Sequence, residues 1–385
     1  MIQREAESEL RLLASQFKAV AVTGPRQSGK TTLVQSVFAT KPYVNLENPD
    51  IRQFAMEDPR GFLAAYPEGA VLDEVQRVPH LFSYLQQVLD DSQLSGQFIL
   101  TGSNNFLLQD TISQSLAGRV GYLYLLPLSL SEINRPDAES HQLILNGCYP
   151  ALYNENIDPA RFYGNYIRTY VERDVRLLKN ITDLFAFERM LRLCAGRIGQ
   201  LLNMSNLAME VGVDIKTIGS WIGVLEASFI VFRLQPFHRN FNKRIVKMPK
   251  LYFYDTGLAT ALLGIENVSQ LTLHPFKGSL FENLVIVEFL KKQFNRGLRN
   301  NLFFWRDNTG NEIDLVLEHP ERSIPVEIKS GKTLSTDSFK GLLYWNKLTH
   351  TEEGYLVYDG DLLQQRSNGI TALPLKQLAT TSLFE

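Results

Sequence analysis

The octet GPRQSGKT, Gly24 to Thr31, constrains this chain more than any other stretch, because it dictates a backbone as well as a chemistry. It follows a short apolar run, FKAVAVT (17–23), and precedes the helix-forming run TTLVQSVFAT. A strand, a glycine-rich turn and a helix in that order point backbone N–H groups inward around an anion. Gly24, Pro25, Arg26, Gln27, Ser28, Gly29, Lys30, Thr31 and Thr32 are therefore expected to bind nucleotide. Lys30 is expected to reach the β- and γ-phosphates, and the Thr31 hydroxyl to join the shell of a Mg²⁺ ion. No NKxD guanine motif occurs, so ATP is the expected nucleotide.

Further apolar runs, YVNLE (43–47), GAVLDE (69–74), QFILTG (97–102) and GYLYLLPL (121–128), alternate with helical stretches such as PHLFSYLQQVLD. Short apolar runs separated by helices predict an α/β domain on a buried parallel sheet. Asp73, ending one such run, is expected to hold the Mg²⁺ through water, and Glu74 to polarise the attacking water. Two readings stay open for ILTGSNN (99–105): Ser103 or Asn104 senses the γ-phosphate, or one of them caps a helix. Arg119, in SLAGRV, reads either as an arginine finger or as a surface arginine. An arginine finger can be supplied in trans by a neighbouring molecule, so the finger reading carries the expectation of a homo-oligomer.

The totals exclude several classes. At 385 residues the chain exceeds what one core usually serves, so two or three domains are expected. The net charge of -2 means that any nucleic-acid contact must come from local patches. Cys148 and Cys194 are the only cysteines and the six histidines are scattered, which argues against a disulfide framework or a zinc site. The N-terminal MIQREAESELRLLASQF lacks the apolar core of a signal peptide, and GYLYLLPLSL is broken by Pro127. A cytoplasmic protein with no membrane span is the expectation.

From about 158 to 230 the pattern turns helical. SNLAMEVGVDIKTIGSWIGVLEASFIVFRL (205–234) has helix-turn-helix spacing, with Leu207 and Ala208 on the first helix and Ile218, Trp221 and Leu225 on the second. Gly212 and Val213 fall at the turn. RLQPFHRNFNKRIVKMPK (233–250) then carries six Lys/Arg and no acid before the strand LYFY, as in a winged helix. Such a module contacts DNA, or packs on protein. Beyond about 276 a helix, GSLFENLVIVEFLKK, leads into LFFWR, EIDLVLE and IPVEIKS, joined by the turns DNTGN and HPERS.

Taken in order, the P-loop, LDEVQ, LTGSNN, SLAGRV, YVERDV (170–175), LLNMSNLA, KMPKLYFYDTGL, GSLFEN and the final EIDLVL…VEIKS carry a resemblance over nearly the whole chain. The chain resembles prokaryotic AAA-type P-loop ATPases with a winged helix and a C-terminal domain of restriction-endonuclease-like, PD-(D/E)xK, type. That resemblance implies ATP binding, and it gives the strands EIDLVLE and IPVEIKS a meaning. In the nuclease fold an acid on one strand meets an E-x-K on the next. Asp314 and Glu327 would ligate Mg²⁺ with the Ile328 carbonyl, Lys329 would position or deprotonate the attacking water, and Glu282 would add a further carboxylate. Period-2 alternation puts Glu327 and Lys329 on one face. Lys291, Lys292, Arg296, Arg299 and Arg306 precede them with no intervening acid. Against this stands the plainer reading of an exposed hairpin.

The expected architecture is α/β throughout its ends: a parallel-sheet AAA-type ATPase domain over 1–135, a helical and winged-helix middle over 136–260, and an α/β restriction-endonuclease-like domain over 261–385. The expected function is an ATP-regulated, Mg²⁺-dependent DNA nuclease. The alternative is a nucleotide-dependent switch whose C-terminal part binds a partner without cleavage. A small-molecule kinase is disfavoured because no acceptor pocket is evident and two domains would go unexplained.

Overall fold

Alternate residues of the first strand enter different cores, which is the signature of a sheet covered on both faces. In β1 (Ala19–Thr23), Ala19 and Ala21 face a core with Phe62, Leu81 and Leu85, while Val20 and Val22 face one with Leu10, Leu13 and Leu33. The computed structural model describes residues 2–102, 116–155, 157–169, 181, 183–238, 246–379 and 381. The chain folds into two units. The first holds Met1–Leu128, Ala227–Phe229 and Lys291–Arg299, and the second holds the remainder.

In the first unit, β2 (Tyr43–Asn45), β3 (Val71–Asp73), β4 (Phe98–Gly102) and β5 (Val120–Tyr124) join β1 in a five-stranded parallel sheet of order β2-β3-β4-β1-β5. Helix α1 (Glu7–Gln16) precedes β1 and α2 (Lys30–Val37) follows its loop. Helix α3 (Leu81–Asp91) buries Leu81, Phe82, Leu85 and Leu89, the one-face spacing of an amphipathic helix. All five strands expected from the apolar runs are present, and β4 lies between the strand that launches the loop and the strand that ends in Asp73.

The second unit opens helically. Within it α4 (Met204–Val211) and α5 (Ile215–Ala227) have the expected spacing, with Leu207, Ala208, Ile218, Trp221 and Leu225 buried. Asn203 caps α4 through the Asn206 N–H, and Gly212 ends it at φ 82°, a left-handed conformation that suits glycine. Next come β6 (Val231–Pro236) and β7 (Lys250–Phe253), an antiparallel pair.

That pair is not a separate wing. The last residues of β6 continue alongside β8 (Leu302–Arg306), with Gln235 opposite Phe303. The sheet runs on through β9 (Glu312–Glu318), β10 (Ser323–Lys329), β11 (Gly354–Tyr358), β12 (Gln364–Gln365) and β13 (Ile370–Pro374). Eight strands lie in the order β12-β13-β11-β10-β9-β8-β6-β7. The expected division at residue 260 therefore cuts through a continuous sheet, because backbone pairing joins strands far apart in sequence. Helices α6 (Lys277–Asn295) and α7 (Lys340–Thr349) flank β8–β10 in sequence. Trp305, Ile313, Val316, Trp345 and Leu356 form the core under this sheet. Among the described residues no helix is long and apolar enough to cross a membrane.

Candidate functional site

The phosphate loop is shaped by backbone that few residues tolerate. Gly24 has φ 155°, and a Cβ there would meet the Leu125 carbonyl oxygen at 2.1 Å. Gly29 has φ 93° and Gln27 φ 62°, so the loop turns sharply before α2 starts at Lys30. Lys30 is buried and donates to the carbonyls of Gly24 at 3.0 Å and Pro25 at 2.7 Å. Burial pushes its pKa down to about 8, against the opposing pull of Glu74 and Asp73. Arg4 braces the loop from outside it, donating to the Ser28 carbonyl at 2.6 Å and the Leu126 carbonyl at 2.7 Å.

Asp73 sits at the end of β3 within reach of this loop. It accepts the Thr31 hydroxyl at 3.0 Å, the Tyr43 hydroxyl at 2.5 Å and the Thr101 hydroxyl. Thr101 lies in ILTGSNN, whose candidate residues are Ser103 and Asn104, and Tyr43 opens the run YVNLE; both reach Asp73 because β4 and β2 flank β3. Glu74 follows with φ 55°, a left-handed conformation that costs a non-glycine residue roughly 1 kcal/mol or more. Gln76 Nε2 donates to its carboxylate at 2.5 Å. The Thr31 hydroxyl and Asp73 carboxylate form an all-oxygen donor set that fits Mg²⁺, and within the loop the buried Ser28 hydroxyl has no hydrogen-bond partner.

Arg119 lies at the other end of the sheet. It directly precedes β5, whose first residue pairs with the start of β1, whereas the loop follows the end of β1. A strand of that length spans roughly 16 Å. Its guanidinium grips Asp90 at 2.5 and 2.9 Å. Within its own unit Arg119 therefore does not reach the loop. Ser103 and Asn104 lie outside the described residues, as does YVERDV.

The second cluster lies at the centre of the eight-stranded sheet. Val326 of β10 faces Leu315 of β9, so Asp314 and Glu327 fall at the next position along both strands. The Ile328 N–H donates to Asp314 at 2.8 Å, and Lys329 Nζ donates to Glu327 at 2.6 Å and Asp314 at 3.4 Å. Glu327 is only 5% exposed, and α7 makes room for it: a Cβ on Gly341 would meet its Oε1 at 2.1 Å. Burial, then the Asp314 charge, pushes the Glu327 pKa up to about 9. Burial alone would raise Asp314 too, but Lys329, Lys250 and the Ile328 N–H outweigh it and hold that carboxyl below its usual range. With strands on both sides, β9 and β10 are not an exposed hairpin.

Glu282 does not join them as expected. Among the described residues no group of three or more His, Cys, Asp or Glu is disposed to hold a metal ion. Glu282 Oε1 instead accepts from the Tyr252 hydroxyl and from Lys250 at 3.2 Å, while Lys250 also pairs with Glu312 at 2.5 Å. Asp314 and Glu327 with Lys329 remain as a two-carboxylate set, suited to a hard cation that keeps several waters. The basic stretches are likewise partly spent internally. Arg233 grips Glu226 with two bonds of 2.7 Å, Arg306 pairs with Glu312, and Lys291 donates to the Leu128 carbonyl. Arg239, Lys243 and Arg244 lie outside the described residues.

Residues 16–134 match the family described as an AAA domain, and 137–269 and 277–378 match two families described as domains of unknown function (DUF8612 and DUF4143). The uncharacterized protein Rv2008c of Mycobacterium tuberculosis is 31% identical over 384 residues, covering 98% of this chain and 85% of that protein. The uncharacterized protein Mb2031c of Mycobacterium bovis matches with the same figures, 31%, 98% and 85%. Among solved structures, the Walker-type ATPase PaBY2304 of Pyrococcus abyssi gives a TM-score of 0.44 at 14% identity, covering 68% of this chain and 96% of that one.

Proposed function

The chain belongs to one family with the mycobacterial proteins Rv2008c and Mb2031c and carries an AAA-type P-loop ATPase domain, and we propose that it is an ATP-regulated, Mg²⁺-dependent DNA nuclease. The observation that carries the nuclease half is the convergence of Asp314, Glu327 and Lys329 in the middle of a covered sheet. A buried Glu327, a half-buried Asp314 and a lysine bonded to both need a reason in that position, since a well-packed apolar set would be at least as stable.

In the nucleotide cycle, the loop N–H groups and Lys30 bind the phosphates, Thr31 and Asp73 hold Mg²⁺, and Tyr43 and Thr101 orient Asp73. Glu74 accepts a proton from the attacking water, with Gln76 fixing its carboxylate. Arg119 acts in a neighbouring copy, where it completes that copy's site at the expense of its Asp90 pair. In the second unit, Asp314 and Glu327 hold the cation and Lys329 positions the water that attacks phosphorus. At both sites bound Mg²⁺ supplies neutralising charge to phosphate oxygens. The helix pair α4–α5, with its helix-turn-helix spacing, supports DNA as the polymer engaged without a wing, since β6 and β7 belong to the large sheet.

One observation favours the other reading, a nucleotide-dependent switch that binds a partner without cleaving it. Lys250 and Tyr252 already satisfy Glu282, so the carboxylate set is smaller than the family resemblance implies. Plasmid DNA incubated with the protein and Mg²⁺ or Mn²⁺, with and without ATP, separates the two. Cleavage that disappears in Asp314→Ala supports the nuclease, and its response to Lys30→Ala reports the ATP control. Intact plasmid in every lane, with phosphate still released from ATP, refutes the nuclease and leaves the switch.

A further inference from the structure

Lys250 is an unusual neighbour for a metal site. It opens β7, far in sequence from the acidic motifs, and its side chain is 3% exposed. Its ammonium lies 3.2 Å from Glu282 and 2.5 Å from Glu312, and 5.5 Å from the centre of the Phe304 ring. The Tyr252 hydroxyl, on the same strand, donates to the same Glu282 oxygen. Two half-buried carboxylates from a helix and a strand, Glu282 at 17% and Glu312 at 24% exposure, would repel each other without a cation between them.

Each lysine pairs directly with two of the four carboxylates, and Arg306 shares Glu312 from the more exposed side at 3.3 Å. Lys329 serves Asp314 and Glu327 and is 38% exposed, so it can swing toward solvent when another cation arrives. Lys250 serves Glu282 and Glu312, and burial leaves it nowhere to go. We propose that Lys250 is a permanent internal cation at the position where Glu282 and Glu312 would otherwise hold a second divalent ion. The cluster then binds a single ion, at Asp314 and Glu327. This inference rests on the metal-binding reading of those two residues and adds a residue the resemblance does not supply.

The test counts ions rather than turnover. Full-length protein, carrying Asp73→Asn throughout to silence the P-loop, is titrated with Mn²⁺ alone, and bound ion is counted from the loss of the free-Mn²⁺ electron paramagnetic resonance signal. One ion in the Lys250 protein, none after Asp314→Ala, and two after Lys250→Met are expected. Adding Glu312→Gln to Lys250→Met should return the count to one, and Lys250→Arg should keep it there. Equal counts in the Lys250 protein and Lys250→Met overturn the inference while leaving the Asp314–Glu327 site standing. No bound ion in the Lys250 protein, or an ion indifferent to Asp314→Ala, removes the site itself and the inference with it. Lys250→Gln, which can bond both carboxylates without charge, replaces Lys250→Met if circular dichroism shows the latter unfolded, and the same counts decide.

Discussion

Replacing Lys30 by methionine should stabilise the nucleotide-free protein while removing its response to nucleotide. The charged lysine is buried with only two carbonyls and distant carboxylates to offset its desolvation, and its pKa falls from 10.5 to about 8. That difference corresponds to a cost of about 3 kcal/mol at pH 7. The sign follows from proton binding: between about pH 8 and 10.5 the unfolded chain holds a proton on Lys30 that the native chain has lost, so stability rises with pH. The cost is fully present below about pH 8 and shrinks to roughly 1 kcal/mol by pH 10. Lys30→Met removes the charge and also two hydrogen bonds worth about 1 kcal/mol each, leaving a net gain of about 1 kcal/mol at pH 7. At pH 10 the gain should vanish. All three tryptophans, Trp221, Trp305 and Trp345, belong to the second unit, so the assay is urea unfolding read by hydrogen exchange in peptides from β1 and α2. ATP at a hundred times its Kd should stabilise the wild type by about 2.7 kcal/mol and Lys30→Met not at all, reversing their order. A variant less stable than wild type at pH 7 without nucleotide, or an advantage that grows with pH, refutes the reasoning.

The other predictions concern groups that touch these sites or are sealed away from them. Thr101→Val removes a hydroxyl from Asp73 while preserving shape, and should slow ATP hydrolysis roughly tenfold with little change in nucleotide affinity; unchanged phosphate release would show that Thr31 and Tyr43 orient Asp73 sufficiently. Arg119→Ala should abolish hydrolysis if a neighbouring copy uses that guanidinium, whereas Asp90→Ala, which frees it, should preserve or raise the rate. Equal rates in both variants and wild type would mark the pair as surface decoration. Cys148 and Cys194 are buried, and burial pushes Cys194 up to about 12, so neither should react with an aromatic disulfide reagent at pH 8 until urea is added. A rapid native thiol would contradict that burial.

Most of the first unit was legible in order along the chain. The P-loop, the strand ending in Asp73 and Glu74, and the five apolar runs are local patterns, and local backbone chemistry is what makes each of them. The helix pair at 204–227 was equally readable, because one glycine and a few apolar positions define the turn. The signals ran out where the chemistry depends on pairing between distant segments. Beyond Gly331 no motif marks GYLVY or ITALP, yet β11 pairs with β10 and β13 with β11, which turns what reads as an exposed hairpin into the middle of a sheet.

The residues that surround each site divide in the same way. Sequence alone determined that this chain carries a phosphate loop, a strand ending in Asp73 and Glu74, and Asp314, Glu327 and Lys329 on two successive strand patterns, since each is spelled by a short local stretch. Only the tertiary structure decided that Tyr43 and Thr101 hold Asp73, that Arg119 is remote from its own loop, and that Lys250 sits between Glu282 and Glu312. A carboxylate's partner is whichever donor the sheet order brings alongside, and sheet order is set by long-range backbone pairing that no short stretch records.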